Sequence, residues 1–180
     1  INSMAHERQW DRLLEVMLDH PVNHRLALFQ TYRALSQKGI LLNDFFSIPF
    51  RERALKSFFM TKEFSLTAAL PWSDFLLDIG NINESEHWAH EALALYGETP
   101  DVLIRLFQVN VLKGNRDFAA MCLQKLGSNP LHHRLSRQLG DLLQNPSRAA
   151  QHPMLANAWR NMFKTDYPHF TYRISENLEN

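Results

Sequence analysis

Three side chains near the middle of the chain have the residue types and the spacing of metal ligands. His87, His90 and Glu91 lie three and four positions apart in a segment of helical periodicity, which places them on one side of a helix. The set lacks the HExxH order and a ligand from another helix, and the repeat described below places it on the outer side of its helix. A solvated polar face is the favoured interpretation, and metal-dependent activity at these residues is kept as a hypothesis.

The other residues that could do chemistry do not form a recognisable catalytic set. His132 and His133 do not converge, because adjacent residues on a helix point about 100° apart. Cys122 falls in the small and apolar stripe of its helix, where a buried thiol is expected rather than a reactive one. The sequence contains no GxSxG elbow and no glycine-rich phosphate loop. We therefore predict a noncatalytic protein that uses no cofactor.

The composition argues against several classes of partner. The chain has 180 residues, and its 19 basic and 19 acidic side chains cancel, so it has no strong field to attract nucleic acid or an anionic membrane surface. A single cysteine forms neither an intrachain disulfide nor a multi-cysteine zinc site. We expect no direct membrane insertion, because no apolar run reaches the roughly 18 residues that span a bilayer. We expect no signal peptide, because the N-terminus lacks a basic region followed by an apolar one. Since the chain begins at Ile1 and ends in the polar stretch 175–180, we expect it to be part of a longer protein.

One sequence pattern occurs twice in the middle of the chain, and its helices contain His87, His90, Glu91 and Cys122. The two copies open on Gly80-Asn81 and Gly114-Asn115, which lie 34 residues apart. This is the period of a repeat of two helices that cannot bury its apolar face alone and therefore stacks on its neighbours. The pattern predicts an all-α fold of antiparallel helical hairpins stacked as an α-solenoid, with its best repeats at 66–99 and 100–133.

Local signals predict where the helices of these repeats begin. Asn83 and Glu86 form a capping-box pattern that predicts the start of the second helix of the first copy. Thr99 followed by Pro100 predicts the start of the next helix, because proline loses no hydrogen bond in the first turn. By the same argument Pro71 predicts the first turn of the helix that ends at Gly80.

The remaining sequence is less regular. Apolar spacing predicts further helices at 6–19, 23–39, 131–143 and 155–163. The segment 40–65 interrupts the repeat and holds six of the twelve phenylalanines: Phe45, Phe46, Phe50, Phe58, Phe59 and Phe64. These rings either fill the gap between neighbouring hairpins or form an aromatic recognition loop. We predict one repeat domain over 1–164 and a loosely structured tail over 165–180.

The two copies resemble tetratricopeptide repeats. The matching positions are Trp72, Leu76, Gly80, Ser85, Ala89 and Ala92 in the first copy, and Leu103, Leu106, Gly114, Ala119, Leu123 and Leu126 in the second. The position that is usually glycine in the first helix is Ser73 in one copy and Phe107 in the other, and both unit-ending prolines are displaced. The resemblance implies a concave inner surface that binds a protein or peptide.

A second resemblance bears on location. The stretches 96–100 and 110–115 are similar to the soluble region of an uncharacterised bacterial family in which a multispanning membrane region precedes tetratricopeptide-like repeats. The resemblance implies an extramembrane part of a longer membrane protein, with the extracytoplasmic side of a bacterial inner membrane as a candidate location. The compartment is otherwise left open.

We expect the function to be protein–protein interaction or scaffolding. In stacked helical hairpins the first helices line the inner surface, and side chains there that packing does not need can meet a partner. The predicted partner-binding residues are Arg33, Gln37, Asp74, Asp78, Asp101, Ile104, Arg105 and Gln108. The partner is a protein or peptide, or another region of the full-length chain. The alternative is an accessory domain of a larger membrane enzyme or transporter.

Overall fold

The fold is helical throughout the part of the chain that the structure describes. A computed structural model describes residues 1–47, 62–152 and 154–162, and every regular element within them is a helix. This confirms the predicted all-α class. Within the same residues, no helix is both long enough and apolar enough to span a bilayer. The chain divides into two compact units between Pro71 and Trp72, inside one long helix.

The first unit is a small group of helices around a shared apolar core. α1, α2 and α3 pack against one another, and α4 packs on α3. The buried side chains come from one stripe of α2 and from most of α3, as their apolar spacing predicts. The elements are α1 (Asn2–His6), α2 (Trp10–Asp19), α3 (Arg25–Gln37), α4 (Leu41–Asp44) and the first half of α5 (Lys62–Asp78).

The second unit begins with the rest of α5 and continues as a series of helices. α6 packs against α7, α7 against α8, and α8 against α9. Two short 3₁₀ helices, Pro130–His132 and Pro146–Gln151, come before and after α9. The α-helices are α6 (Ile82–Tyr96), α7 (Pro100–Lys113), α8 (Arg116–Gly127), α9 (His133–Gln144) and α10 (Ala156–Asn161).

α7 is the central helix of the second unit. Every residue from Val102 to Leu112 except Ile104 is buried. A helix buried on all sides is usually apolar on all sides, but α7 carries three buried polar side chains, Arg105, Gln108 and Asn110. Each of these needs a polar partner, because an unpaired polar group costs free energy when it is buried.

The two Gly-Asn pairs that define the repeat form the same turn. Gly80 and Gly114 have φ angles of +84° and +76°, in the left-handed region that ends helices. The amides of the asparagines that follow donate to carbonyls five residues back, at 2.9 and 2.8 Å. The 34-residue period of the sequence is therefore also a repeat of local backbone structure at these two turns.

The same asparagines cap the helices that follow. Asn81 Oδ1 accepts from the amide of Glu84 at 3.4 Å, and Asn115 Oδ1 accepts from the amide of Phe118 at 3.5 Å. The prediction that Asn83 caps α6 was wrong. Asn81 directly follows the left-handed glycine and satisfies the amide of the first turn, so that α6 begins at Ile82 and Asn83 is its second residue.

Two other predicted helix starts are also corrected. Pro71 lies inside α5 rather than in its first turn, because the preceding residues 62–70 are themselves helical. Proline lacks an amide hydrogen and interrupts the helical hydrogen-bond series, and the division between the two units falls at this residue. α3 begins at Arg25 after an extended His24, two residues later than the predicted start at residue 23. Thr99 is the N-cap residue of α7, with Pro100 in the first turn as predicted.

Small side chains let α5 and α6 approach closely. Ser73 Oγ donates to the carbonyl of Ser85 at 2.7 Å, and Ser85 Oγ donates to the carbonyl of Ser73 at 2.8 Å. Both residues are fully buried. The serine at the position where the tetratricopeptide pattern has glycine is therefore accommodated by a reciprocal pair of hydrogen bonds.

The aromatic insertion is described only at its ends. Phe45 is half-buried, and its ring centroid lies 4.9 Å from that of Tyr32, whereas Phe46 is 71% exposed. Residues 62–65, predicted to be irregular, belong to α5. The rings of Phe50, Phe58, Phe59 and Phe64 and the tail 165–180 lie outside the described residues. The choice between packing and recognition for this segment, and the extent of the predicted domain, therefore stay predictions.

Candidate functional site

Four of the predicted partner-binding residues lie on one face of α7. Asp101, Ile104, Arg105 and Gln108 follow the spacing of one helix face. Exposure decreases along this face: Asp101 is exposed, Ile104 is half-buried, Arg105 is 3% exposed and Gln108 is fully buried. The face, which we call the inner face of α7, is open at its amino-terminal end and covered at its carboxy-terminal half.

The inner face of α7 meets α5 through a buried ion pair. Arg105 Nη2 donates to Asp74 Oδ1, and both side chains are 4% exposed. Asp78, one turn further along α5, is 5% exposed. A buried charge is tolerated when it is paired and hydrogen-bonded. Arg105 and Asp74 therefore join α7 to α5 rather than standing free for a partner.

The C-terminal segment of the described chain, residues 146–152 and 154–162, covers the rest of this face. Its 3₁₀ helix contacts α7, and Met154 Sδ lies 3.7 Å from Gln108 Nε2. Ala149, Leu155 and Ala158 are its buried apolar side chains. The inner face of α7 is thus occupied by a short piece of the same polypeptide.

The end of the C-terminal segment also packs against α5. A Cβ atom added to Gly80 would lie 2.9 Å from the Cβ of Asn161 and closer still to its carbonyl group. Such a separation is too short for two carbon atoms in contact. Only a glycine lets the backbone of α10 come this near to the end of α5.

Gln108 is poorly satisfied by the polar groups that the structure describes around it. Its side chain is fully buried, and its Nε2 faces the sulfur of Met154, which is a weak acceptor. Among the described residues, no protein group donates a hydrogen bond to its Oε1. By contrast, Asn110 on the same helix donates to the carbonyl of Leu106 at 2.8 Å and accepts from Asn115 at 3.0 Å.

Two of the predicted partner-binding residues lie on α3, in the first unit. Arg33 is 4% exposed, its guanidinium lies 5.3 Å from the centre of the Trp10 ring, and it donates to Gln30 Oε1 at 3.3 Å. Gln37 is half-buried at the last position of α3. The partner-binding role of these two residues stays a prediction.

The proposed metal ligands are on the surface of α6. His87, His90 and Glu91 are all exposed. The ring of His90 lies 5.9 Å from that of Phe118 on α8, and the ring of His87 lies 5.7 Å from that of its neighbour Trp88. Within residues 1–47, 62–152 and 154–162, no three His, Cys, Asp or Glu side chains are grouped so as to hold a metal ion.

Cys122 lies inside α8 and is 1% exposed. Burial raises the pKa of its thiol from 9.0 to about 11, because the thiolate would lose its solvation there. The nucleophilic form of a cysteine is the thiolate. The thiol is therefore protonated and unreactive near neutral pH, as its place in the apolar stripe predicts.

The rate at which Cys122 is alkylated tests the raised pKa of its thiol. At pH 7.5 we expect Cys122 to react with iodoacetamide about 100-fold more slowly in the native chain than in urea, because a rise of two pKa units lowers the thiolate fraction by that factor. The Cys122 thiol ionises at a lower pH in the unfolded chain than in the native chain. Its contribution to the free energy of unfolding is therefore fully present below pH 9.0 and is lost as the pH rises toward 11. Mass spectrometry of timed samples measures the rates. Equal rates in the two states would show that the thiol is accessible.

A shallow cavity of about 530 Å³ lies between α8 and α9, with Gly127, His133 and Arg137 among its lining residues. Ser136 Oγ also lines it, but donates to the carbonyl of Leu123 at 2.8 Å. His133 Nε2 lies 3.1 Å from Arg137 Nη2. The serine and histidine are thus engaged in contacts between and along helices, and they do not form a nucleophile with its base.

The spacing of the sequence predicts which residues share the inner face of α7 but not which segment covers it. The helix predicted at 155–163 is present as Ala156–Asn161. The contacts of the preceding 3₁₀ helix and Met154 with α7, and of Asn161 with Gly80, have no local signal, since Leu155 and Ala158 only indicate that the segment has an apolar side. The spacing of residues 101, 104, 105 and 108 identifies one helix face. It does not indicate which of these side chains are buried against other parts of the chain.

Comparison with known proteins places the chain in a family. The family of unknown function DUF6057 matches residues 1–180, and the chain belongs to it. No curated protein and no solved structure matches the chain.

Proposed function

We propose that this chain is a noncatalytic helical-repeat module of the tetratricopeptide type, which binds a segment of another protein, or of its own longer chain, on the inner face of α7. The site would run from Asp101 and Ile104, which are accessible, toward Arg105 and Gln108, which are covered. The module would act as a scaffold, and the chemistry of any pathway it serves would reside in its partner.

The repeated turn supports the helical-repeat part of this proposal. Equivalent glycines with left-handed φ angles and equivalent asparagine caps recur with a period of 34 residues. α6, α7, α8 and α9 pack in chain order, as stacked repeats do. The reciprocal serine contact between α5 and α6 provides the close helix approach that such repeats need.

One observation carries the binding part of the proposal. The C-terminal segment lies against the inner face of α7, so that this face already accepts a short piece of polypeptide. Helical repeats bind peptides on the corresponding face. The same shape and chemistry can take a segment from a partner.

The charges of the site favour a protein partner over a polyanion. Arg105 is neutralised by Asp74, and the open end of the face carries the carboxylate of Asp101. An arginine that is already paired with a carboxylate has little attraction for phosphate groups. A peptide with an apolar side chain for Ile104 and a basic one for Asp101 fits this end best.

Peptide selection tests the proposal without a known partner. Peptides would be selected from a random display library with the intact chain as bait, and their affinities measured by fluorescence anisotropy. We expect the double variant Asp101→Lys/Ile104→Asp to weaken binding at least about tenfold, because it reverses the charge and removes the apolar contact at the open end.

α8 offers a matched control for that variant. Asp117 is an exposed acidic residue in the first turn of its helix, as Asp101 is, and Met121 is a 40% exposed apolar residue one turn later. The variant Asp117→Lys/Met121→Asp should leave peptide binding unchanged. A library that yields no specific peptide, or equal loss of binding in both double variants, would contradict the proposed site.

A further inference from the structure

The contact between Gln108 and Met154 is chemically mismatched. A glutamine side chain offers two donor hydrogens and an acceptor oxygen, whereas a methionine thioether offers one weak acceptor and no donor. The sulfur lies 3.7 Å from Nε2, and the Oε1 of this fully buried side chain accepts from no described protein group. Leaving a buried acceptor unsatisfied costs on the order of tenfold or more in an equilibrium constant.

We propose that the inner face around Gln108 is a peptide-binding site that selects a segment presenting an amide group to Gln108, and that the C-terminal segment is its weaker occupant in cis. The inference rests on the proposed function, since it concerns the same face. The amide group would distinguish the preferred ligand from the C-terminal segment, which presents the Met154 thioether to Gln108.

An amide is the group that complements Gln108. It donates through N–H and accepts through C=O, so that it can satisfy Oε1 and Nε2 together. Both a backbone peptide unit and an Asn or Gln side chain provide this pair. The position of the Met154 sulfur, 3.7 Å from Nε2, shows that the δ position of residue 154 is within reach of the Gln108 amide.

The mismatch keeps the cis contact displaceable. The apolar side chains Leu155, Ala158 and Ala149 hold the C-terminal segment in place, while the polar centre of the site contributes little. A partner segment with equal apolar contacts and an amide at the central position would displace it. Binding would then be coupled to the release of the C-terminal segment.

Substitution in the intact chain gives the first test. Glutamine and methionine have similar length, so Met154→Gln should pair with Gln108 and increase hydrogen–deuterium exchange protection of α10 about tenfold. Met154→Leu, which keeps the apolar contact and removes the sulfur, should not. In a Gln108→Leu background the gain from Met154→Gln should disappear, because the partner amide is gone.

The second test adds the ligand in trans. Two fluorescent peptides of sequence 146–162 would be titrated, one natural and one with glutamine at the position of Met154. The host would be the intact chain with Leu155→Asp, which weakens its own segment. The low alkylation rate of Cys122 would verify that the rest of the second unit is folded. Ala158→Asp provides a second host if Leu155→Asp unfolds the chain.

The outcomes separate this inference from the proposed function. We expect the glutamine peptide to bind about tenfold more tightly than the natural one, and the preference to vanish with Gln108→Leu. Equal binding of both peptides, with no gain in protection from Met154→Gln, would overturn the amide selection and leave peptide binding intact. If neither peptide binds to the folded Leu155→Asp or Ala158→Asp host, both the amide selection and the proposed peptide binding are overturned.

Discussion

Replacement of Gly80 by alanine is expected to destabilise the second unit by about 3–5 kcal/mol. Two costs combine here. Alanine is strained at a φ of +84°, and its Cβ would overlap the backbone of Asn161. The free energy of unfolding from urea titrations measures the effect.

Gly114 is the matched control for this change. Its φ of +76° imposes the same backbone strain, but a Cβ there meets nothing within 4 Å. Gly114→Ala should therefore cost only about 1–2 kcal/mol. Protection of the α10 amides from hydrogen–deuterium exchange should fall in Gly80→Ala and stay unchanged in Gly114→Ala. Equal destabilisation by the two substitutions would show that α10 does not press on the end of α5.

Removal of one member of the buried ion pair is expected to cost about 3–5 kcal/mol. Asp74→Ala leaves the charge of Arg105 in a site where both side chains are 4% exposed, and Arg105→Met does the same to the carboxylate. The large cost comes from depriving a buried charge of its oppositely charged partner rather than from the strength of the pair itself. Urea titration of each variant gives the comparison.

Two further variants make this prediction specific. The double variant Asp74→Leu/Arg105→Met removes both charges and should recover most of the loss. The exposed pair of Lys125 and Glu98, with side chains 42% and 51% exposed, should lose less than about 1 kcal/mol when Lys125 is changed to methionine. If the double variant is as unstable as the sum of the single ones, shape rather than charge governs this site.

Local patterns in the sequence predict much of the helical structure. The period of 34 residues gives the positions of the two equivalent turns, because a left-handed glycine and a capping asparagine are local requirements of the chain. The start of α7 at Thr99 and Pro100 has a local cause as well. The prediction that Pro71 starts a helix was wrong, because the helix-forming residues before it outweigh its usual preference for a helix start.

The candidate site is harder to predict for a physical reason. Asp74 and Arg105 are 31 residues apart, and charged side chains at such positions are usually expected to be solvated. Gln108 is covered in turn by the C-terminal segment, whose Met154 lies 46 residues further along the chain. Helix periodicity identifies which residues share a face but contains no information on which distant segment covers it.

The measurement that tests the account most directly is hydrogen–deuterium exchange of the intact chain with and without a library-selected peptide. If the inner face of α7 is the binding site, the amides around Asp101 and Ile104 become better protected on binding, and those of α10 become less protected as the C-terminal segment is displaced. Protection on another surface, with α10 unchanged, would contradict the account.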